Sequence, residues 1–571
     1  MANSEERVSL PVSGESSCSL RLSGVILIIL CLAVGGWNLN KYAPWESPAT
    51  RPAIATGAPT PHTAVNPYSV NTFLSQEVEP WKREKTLEMI SMAGIGWIKE
   101  GVPWSEIEPA EGSHWDPEHQ QDTWQKYDDI FAMAERYGVR VIARLDHTPP
   151  WARPEGSTYH SPPSDVETYG QFVEDFVERY KGRVQHIQVW NEPNLAQEWG
   201  GEIDPEGYFE LLSEAYTRAK AVDPEVVVLS APMAMTNEVS SRAIPEFDYW
   251  RELYDLGAQD YFDILTATGY GIDQPPDDPP SPEVINLRRI ELVRDLMAEY
   301  NDTSTPIWLT EYGWNASPDI IPTELQEWGS VTDAEQAEWT ADGIQYMDEN
   351  WDWFGVSSIW YFRQVGLIPP DSAEYYFAMV DLEFTPRHVY LSVRDDAAAR
   401  QIALPGHYGP MESPIQQTGR WPRFDDPESH TGESIASDHW GAEIRIEFSG
   451  TDLTLIPGDS SLQSGWMYAT LNGEPVENDL FSRDVLDRTY LDLDQLPDNV
   501  DELPVVERYR PDQPQQVNTF VLHIHEGASF SLRGFDVDYE PSNSRFIIVT
   551  LLTLSGLVAG TIMVVRRTDR T

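Results

Sequence analysis

Two short stretches of this chain carry residue types that do chemistry together. The β-rich run 186–190 ends abruptly at Asn191-Glu192-Pro193. A carboxylic acid therefore stands at the C-terminal end of a strand, beside an amide and a proline that stiffens the exit. More than a hundred residues later Ile307-Trp308-Leu309-Thr310 leads into Glu311-Tyr312-Gly313. Two glutamates at the tips of two strands are what cleavage of a glycosidic bond needs. One gives and takes a proton, and the other attacks or steadies a sugar cation.

Those glutamates need a scaffold that brings distant strand ends together. Short β-like runs at 69–74, 96–99, 139–145, 184–190, 226–230, 264–269, 306–310 and 357–362 alternate with amphipathic helical stretches at 83–93, 124–137, 167–180, 205–221 and 283–300, the last helix falling near 386–395. This alternation predicts an α/β fold, a (β/α)₈ TIM barrel over 68–395. Glu192 and Glu311 then close strands four and seven on the face where such barrels hold their sites. Asp165 and Thr332-Asp333 are placed to cap helices. The loops 273–282 and 320–329 are expected around the site. From 396 to 540 the pattern turns into strand-like runs separated by turn residues, which predicts an all-β, jelly-roll-like sandwich. Its first and last strands are expected at 442–451 and 531–537. Packing against the barrel and binding carbohydrate are both open roles for it.

Trp190-Asn191-Glu192-Pro193 and Thr310-Glu311-Tyr312-Gly313 resemble the two signature strands of the clan A glycoside hydrolases. Trp97-Ile98-Lys99, Trp104-Ser105-Glu106-Ile107-Glu108-Pro109 and the stretch from Leu145 to Ala152 resemble family 39-like members, with family 5 next in likeness. The resemblance covers 68–395 and implies retaining chemistry, with Glu192 as acid/base and Glu311 as nucleophile. Glu192 must then start protonated and Glu311 ionised. Asn191 is expected to donate to the sugar 2-OH and Tyr270 to Glu311. Trp360 is expected as the floor under the reacting sugar. His147 either reaches the sugar or orients a carboxylate. Lys99 is a candidate substrate-binding residue that stands where family 39-like members often carry Arg, and lysine cannot make arginine's planar two-point contact. Glu100 is a candidate partner for Lys99, and Trp104, Trp151 and Trp314 are candidate subsite aromatics that equally suit a core.

The chain has 571 residues and a formal net charge of −54. Such a field repels phosphate backbones and excludes nucleic acid as a partner. The two cysteines, Cys18 and Cys31, lie at the first apolar segment, so the body holds no thiolate metal site or disulfide. No spacing of His, Asp and Glu demands a metal, and no nucleotide or cofactor fingerprint is present. Residues 22–40 and 546–565 are uncharged, membrane-length segments. Arg566-Arg567 after the second places 566–571 in the cytoplasm. The expectation is a cytoplasmic 1–21, a transmembrane helix at 22–40 with a cleaved signal peptide as the alternative, a Pro/Ala/Thr-rich linker at 41–67, a catalytic body outside the cell, and a transmembrane helix at 546–565. The expected partners are a poly- or oligosaccharide and the membrane. A non-catalytic glycan-binding surface protein and a metal-dependent barrel hydrolase are the competing readings. Sugar identity, endo or exo action and oligomeric state have no sequence signal.

Overall fold

The computed structural model describes residues 23, 25–34, 60–366, 368–497, 500–509, 516–539 and 543–565. Eight parallel strands form the barrel: β1 (Tyr68–Thr72), β2 (Trp97–Pro103), β3 (Arg140–Asp146), β4 (His186–Val189), β5 (Val227–Leu229), β6 (Leu265–Tyr270), β7 (Ile307–Gly313) and β8 (Phe354–Ile359). The ladder runs β5-β4-β3-β2-β1-β8-β7-β6. Bridges Leu229↔Ile264 and Met233↔Ala267 close it between β5 and β6. Every residue of β1, β4, β5, β7 and β8 is buried, because the strands face side chains inside and helices outside.

The outer layer is α1 (Pro80–Met92), α2 (Gln125–Arg136), α3 (Val166–Tyr180), α4 (Pro205–Val222), α5 (Glu246–Asp255), α6 (Ile290–Glu299), α7 (Asp333–Asn350) and α8 (His388–Arg400). Both expected caps form. The Asp165 side chain accepts from Glu167 N–H, and Thr332 makes a capping box with Glu335 at the start of α7. The last helix runs to Arg400, so the barrel continues past 395.

Two packed sheets follow. Strands Glu443–Phe448, Asn518–Ile524, Trp466–Leu471 and Thr489–Asp492 lie side by side in one, and Glu433–Ser437, Phe530–Asp538, Asp452–Pro457 and Leu503–Val506 in the other. The strand expected to open the sandwich, Glu443–Phe448, is preceded by five others from Ile402–Ala403 onward. These are short, two to five residues, and too brief for a period-2 signal. The closing strand, Phe530–Asp538, is where it was expected.

The sandwich core is continuous with the base of the barrel. Val65, Trp97, Ile142, Val227, Leu229, Trp308 and Val356 pack in the same cluster as Ile435, Ile444, Phe448 and Phe535. The tether expected over 41–67 needs correction at its end. Residues 60–67 are built into this junction, where His62 Nδ1 bonds Glu433 Oε1 at 2.8 Å and Val65 bridges Met411. Residues 41–59 and 1–21 lie outside the described residues, as does 566–571.

Glu433 is 3% exposed and also receives Arg423 Nε at 2.8 Å. Burial by itself would raise its carboxyl, yet the bond and charge of His62 and the Arg423 guanidinium hold it down to about 2. A carboxyl lowered on folding contributes stability above its ordinary range, near 4.5, and that stability drains as pH falls toward 2. Glu433→Gln is expected to cost roughly 3 kcal/mol at neutral pH and to flatten the acid-side loss of stability in pH-dependent melts. An unchanged acid limb would refute this role.

The two membrane-spanning helices expected at the ends find no support in the fold. Among the described residues no helix is long and apolar enough to cross a membrane. The first segment contributes a described helix over 25–34. Residues 22, 24 and 35–40 of that segment lie outside the described residues. A helix Asn543–Val565 does run through the second segment, with its side chains described only in part.

Candidate active site

Glu192 sits three residues beyond the end of β4, held by Glu192 N–H donating to Pro232 O at 3.0 Å. Trp190 has φ 73°, Glu192 φ 43° and, across the same rim at the end of β3, His147 φ 61°. Three non-glycine residues in the left-handed region within one rim mark backbone strain there. Glu311 lies inside β7 rather than at its tip, because the strand continues to Gly313 with every residue buried.

Lys99 and Tyr270 hold Glu311 from two sides. Lys99, 2% exposed on β2, donates from Nζ to Glu311 Oε1 at 3.1 Å and to Thr310 O at 3.2 Å. Tyr270, the last residue of β6, donates its hydroxyl to Glu311 Oε2 at 2.9 Å. Thr268 pairs with Glu311 across the ladder, so Tyr270, two residues on, lies on the same face of its strand. Both carboxylate oxygens thus receive a donor, which fixes the orientation of the group. Burial pulls the Lys99 ammonium below the usual lysine range, against the opposing pull of Glu311.

Glu192 has the opposite surroundings. Burial pushes its carboxyl well above the usual range, and the negative charges of Glu311 and then Glu198 push the same way. Among the described residues no side-chain donor bonds its carboxyl. One acid is therefore kept protonated and its neighbour is held by donors. Opposed environments of this kind divide acid from nucleophile.

The other expected residues fall on the same rim. Trp360 follows β8, edge-on to Phe73 with ring centroids 5.9 Å apart, and joins a cluster with Tyr270, Trp328 and Phe377. His147 contacts His160 and Tyr159 at 5.1 and 4.6 Å between rings, and its Nε2 is 3.7 Å from Asp146 Oδ2. Burial lowers its imidazole. Asn191 is half-buried, with Oδ1 accepting no hydrogen bond. Glu100 does not pair with Lys99. It turns to the β1 end and accepts from Thr72 Oγ1 at 2.6 Å and from the Leu74 and Ser75 amides. Trp104 and Trp314 are fully buried, and Trp151 packs edge-on against Trp104 while donating to Glu108 O, so all three serve the core.

Several site residues escaped the sequence reading. Glu374 rides on a 3-10 turn, Ala373–Phe377, fixed by Asn315 Nδ2 donating to Ala373 O at 2.8 Å. Burial, and next the charge of Glu311, raise its carboxyl, which places a third acid near the pair. Glu198 Oε2 lies 3.0 Å from His160 Nδ1, and Arg144 Nε lies 2.8 Å from Asp146 Oδ2. Among the described residues no group of three or more His, Cys, Asp or Glu side chains is placed to hold a metal ion.

Lys99→Met removes one of the two donors and strands a buried carboxylate. The expected loss in kcat/KM is roughly tenfold to hundredfold, from a charge-assisted bond of about 1.5–3 kcal/mol. Steady-state kinetics beside a thermal melt would check it, and wild-type kcat/KM in a folded variant would refute it.

No protein-family model and no curated protein matches the chain. Among solved structures it is similar to a family 39 glycoside hydrolase from the gut symbiont Bacteroides cellulosilyticus, at 17% identity over 80% of this chain and 81% of that one, with a TM-score of 0.45. It is similar to a monomeric beta-xylosidase from Caulobacter crescentus, at 13% identity over 82% and 97%, TM-score 0.45. It is similar to GH5_18 from Streptomyces cattleya, at 13% identity over 62% and 86%, TM-score 0.43. At these identities and scores the likenesses carry no weight beside the geometry of the carboxylates.

Proposed function

We propose that this chain is a retaining glycoside hydrolase that cleaves O-glycosidic bonds of a poly- or oligosaccharide by double displacement. Glu311 attacks the anomeric carbon and Glu192 protonates the leaving oxygen. Glu192 then takes a proton from the water that releases the sugar. The observation that carries this reading is the opposed pair: a raised Glu192 carboxyl facing a Glu311 carboxylate fixed by Lys99 and Tyr270. In the same reading the Asn191 amide meets the sugar 2-OH, Trp360 floors the reacting ring and His147 lines the rim. The acidic exterior suits a neutral glycan better than a polyanion.

The test is a screen of the whole chain against neutral polysaccharides and aryl glycosides, with Glu311→Gln in parallel and a chelator arm. Activity that is lost in the variant and indifferent to chelation supports the proposal and names the sugar. Retained binding to one glycan without any turnover overturns it in favour of a non-catalytic glycan-binding protein.

Attachment to the cell membrane with the body outside is part of the proposal and rests on the sequence, on the uncharged ends and on Arg566-Arg567. The helix Asn543–Val565 also meets the first apolar segment, where a Cβ at Gly556 would collide with Cys31 Sγ. Release of the chain by carbonate washing of membranes would count against attachment.

A further inference from the structure

The sandwich carries a ring surface that the catalytic reading does not use. Along Trp466–Leu471 the residues Met467, Ala469 and Leu471 point inward and are buried, so Trp466 and Tyr468 face out. The neighbouring strands add to that face. Tyr490 stands in register with Tyr468, and His525 N–H donates to Trp466 O. The Trp466 and Tyr490 rings are 5.0 Å apart and inclined by 31°, and the Trp466 and His525 rings are 6.3 Å apart and inclined by 39°. Tyr468 joins them more steeply, its ring 6.3 Å from Tyr490 at 67° and 5.6 Å from His525 at 64°, so the four rings form one contiguous cluster. Trp466 is 44% exposed. Trp440, 70% exposed, sits on the turn whose Gly441 N–H donates to Ile524 O, beside His525.

Single exposed apolar residues are ordinary, but a contiguous ring face needs a reason. Its rim says what that face accepts. Asp492 stands in register with Trp466, and Glu443 lies 3.2 Å from His523 on the same sheet. Arg488 lies 4.4 Å over the Tyr468 ring but is already ion-paired with Asp484 at 2.7 Å. Negative charge, with Arg488 already neutralised by Asp484, repels an anionic lipid surface and acidic polysaccharides. A second copy of a chain with net charge −54 is disfavoured for the same reason. An uncharged sugar suits both parts: its C–H face covers the rings and its hydroxyls donate to the carboxylates at the rim.

We propose that this face is a second glycan-binding site, taking the flat faces of neutral pyranose units in a polysaccharide chain. The sandwich packs on the N-terminal ends of the barrel strands, through Trp97, Val227 and Trp308, whereas Glu192 and Glu311 lie at the opposite end. The site is therefore separate from the catalytic cleft, and it does not rest on the catalytic reading.

The experiment is retention of the full chain on insoluble cellulose, xylan and mannan, with Glu311→Gln as the background so that nothing is consumed. Trp466→Ala with Tyr490→Ala is expected to weaken retention on at least one of them about tenfold or more. Trp466→Tyr, which keeps a ring, is expected to restore most of it. Melting temperature, and turnover of a small aryl glycoside where there is any, should not move in the double variant. Undiminished retention in the double variant overturns the site, as does no retention of the parent on any of the three. Binding to anionic vesicles or self-association that is lost with the rings would also overturn it, in favour of a lipid or protein surface.

Discussion

Glu311→Ala is expected to reduce turnover on the order of 10⁵-fold while leaving the fold intact. The size follows from the role. Without the carboxylate no covalent glycosyl intermediate forms, and the residual rate comes from binding and from Glu192 alone. The variant removes the carboxylate that Lys99 and Tyr270 both bond, at a position 6% exposed, and leaves Lys99 only its bond to Thr310 O, so a modest fall in melting temperature accompanies the loss. A small external nucleophile such as azide can fill the space that the carboxylate leaves. With an activated aryl glycoside, rescue by azide should give a glycosyl azide of inverted configuration. Glu192→Ala behaves differently. An activated leaving group needs no proton, so its departure stays fast and only release of the intermediate slows. Inverting stereochemistry in the unmodified protein would sink the assignment of Glu311 as nucleophile, and so would a wild-type rate in Glu311→Ala.

The barrel was legible because its strands are short, apolar and spaced by amphipathic helices, and all eight fall on or within a few residues of the runs read from sequence. The two glutamates were legible because each is a polar residue directly following a β-rich apolar run, at a place a core would not tolerate it unpaired. The end of β7 was misjudged for the same reason. Glu311 reads as the residue where burial stops, yet its charge is met by Lys99 and Tyr270, so the strand continues through it to Gly313. Lys99 is expected to bind substrate and to stand beside Glu100, yet its ammonium is spent on Glu311. Its contact with Glu311 spans 212 positions of sequence, and no local pattern encodes such a pairing. Glu374 was invisible for a related reason. It rides on a loop without periodicity, and contacts from distant parts of the chain, Asn315, Tyr361 and Gln336 among them, bring that loop over the site. The composition of 41–67 suggested a tether, but composition does not show that His62 finds a buried carboxylate 371 residues away.

Glu192 is expected to set the alkaline limb of the pH–rate profile, and Glu198 to set where that limb falls. As general acid Glu192 works only while protonated. Burial, Glu311 and Glu198 all raise its carboxyl, so the proton is lost only as pH rises through this raised value, and kcat/KM should decline there. Glu198→Gln removes one negative neighbour while keeping a group of similar shape. The raised value then relaxes downward and the alkaline limb moves to lower pH, with kcat at acidic pH nearly unchanged. Glu192→Gln abolishes the limb and lowers turnover of unactivated glycosides roughly 10³-fold. Stability should move the other way. A carboxyl raised on folding contributes fully below its ordinary range and loses that contribution as pH rises through the folded value. At pH above that value the native protein holds a costly buried charge, so Glu192→Gln should melt higher than wild type there and converge with it in acid. A limb that stays in place in Glu198→Gln would detach Glu198 from the acid. A limb that persists in Glu192→Gln would show that some other group, with Glu374 the first to test, donates the proton.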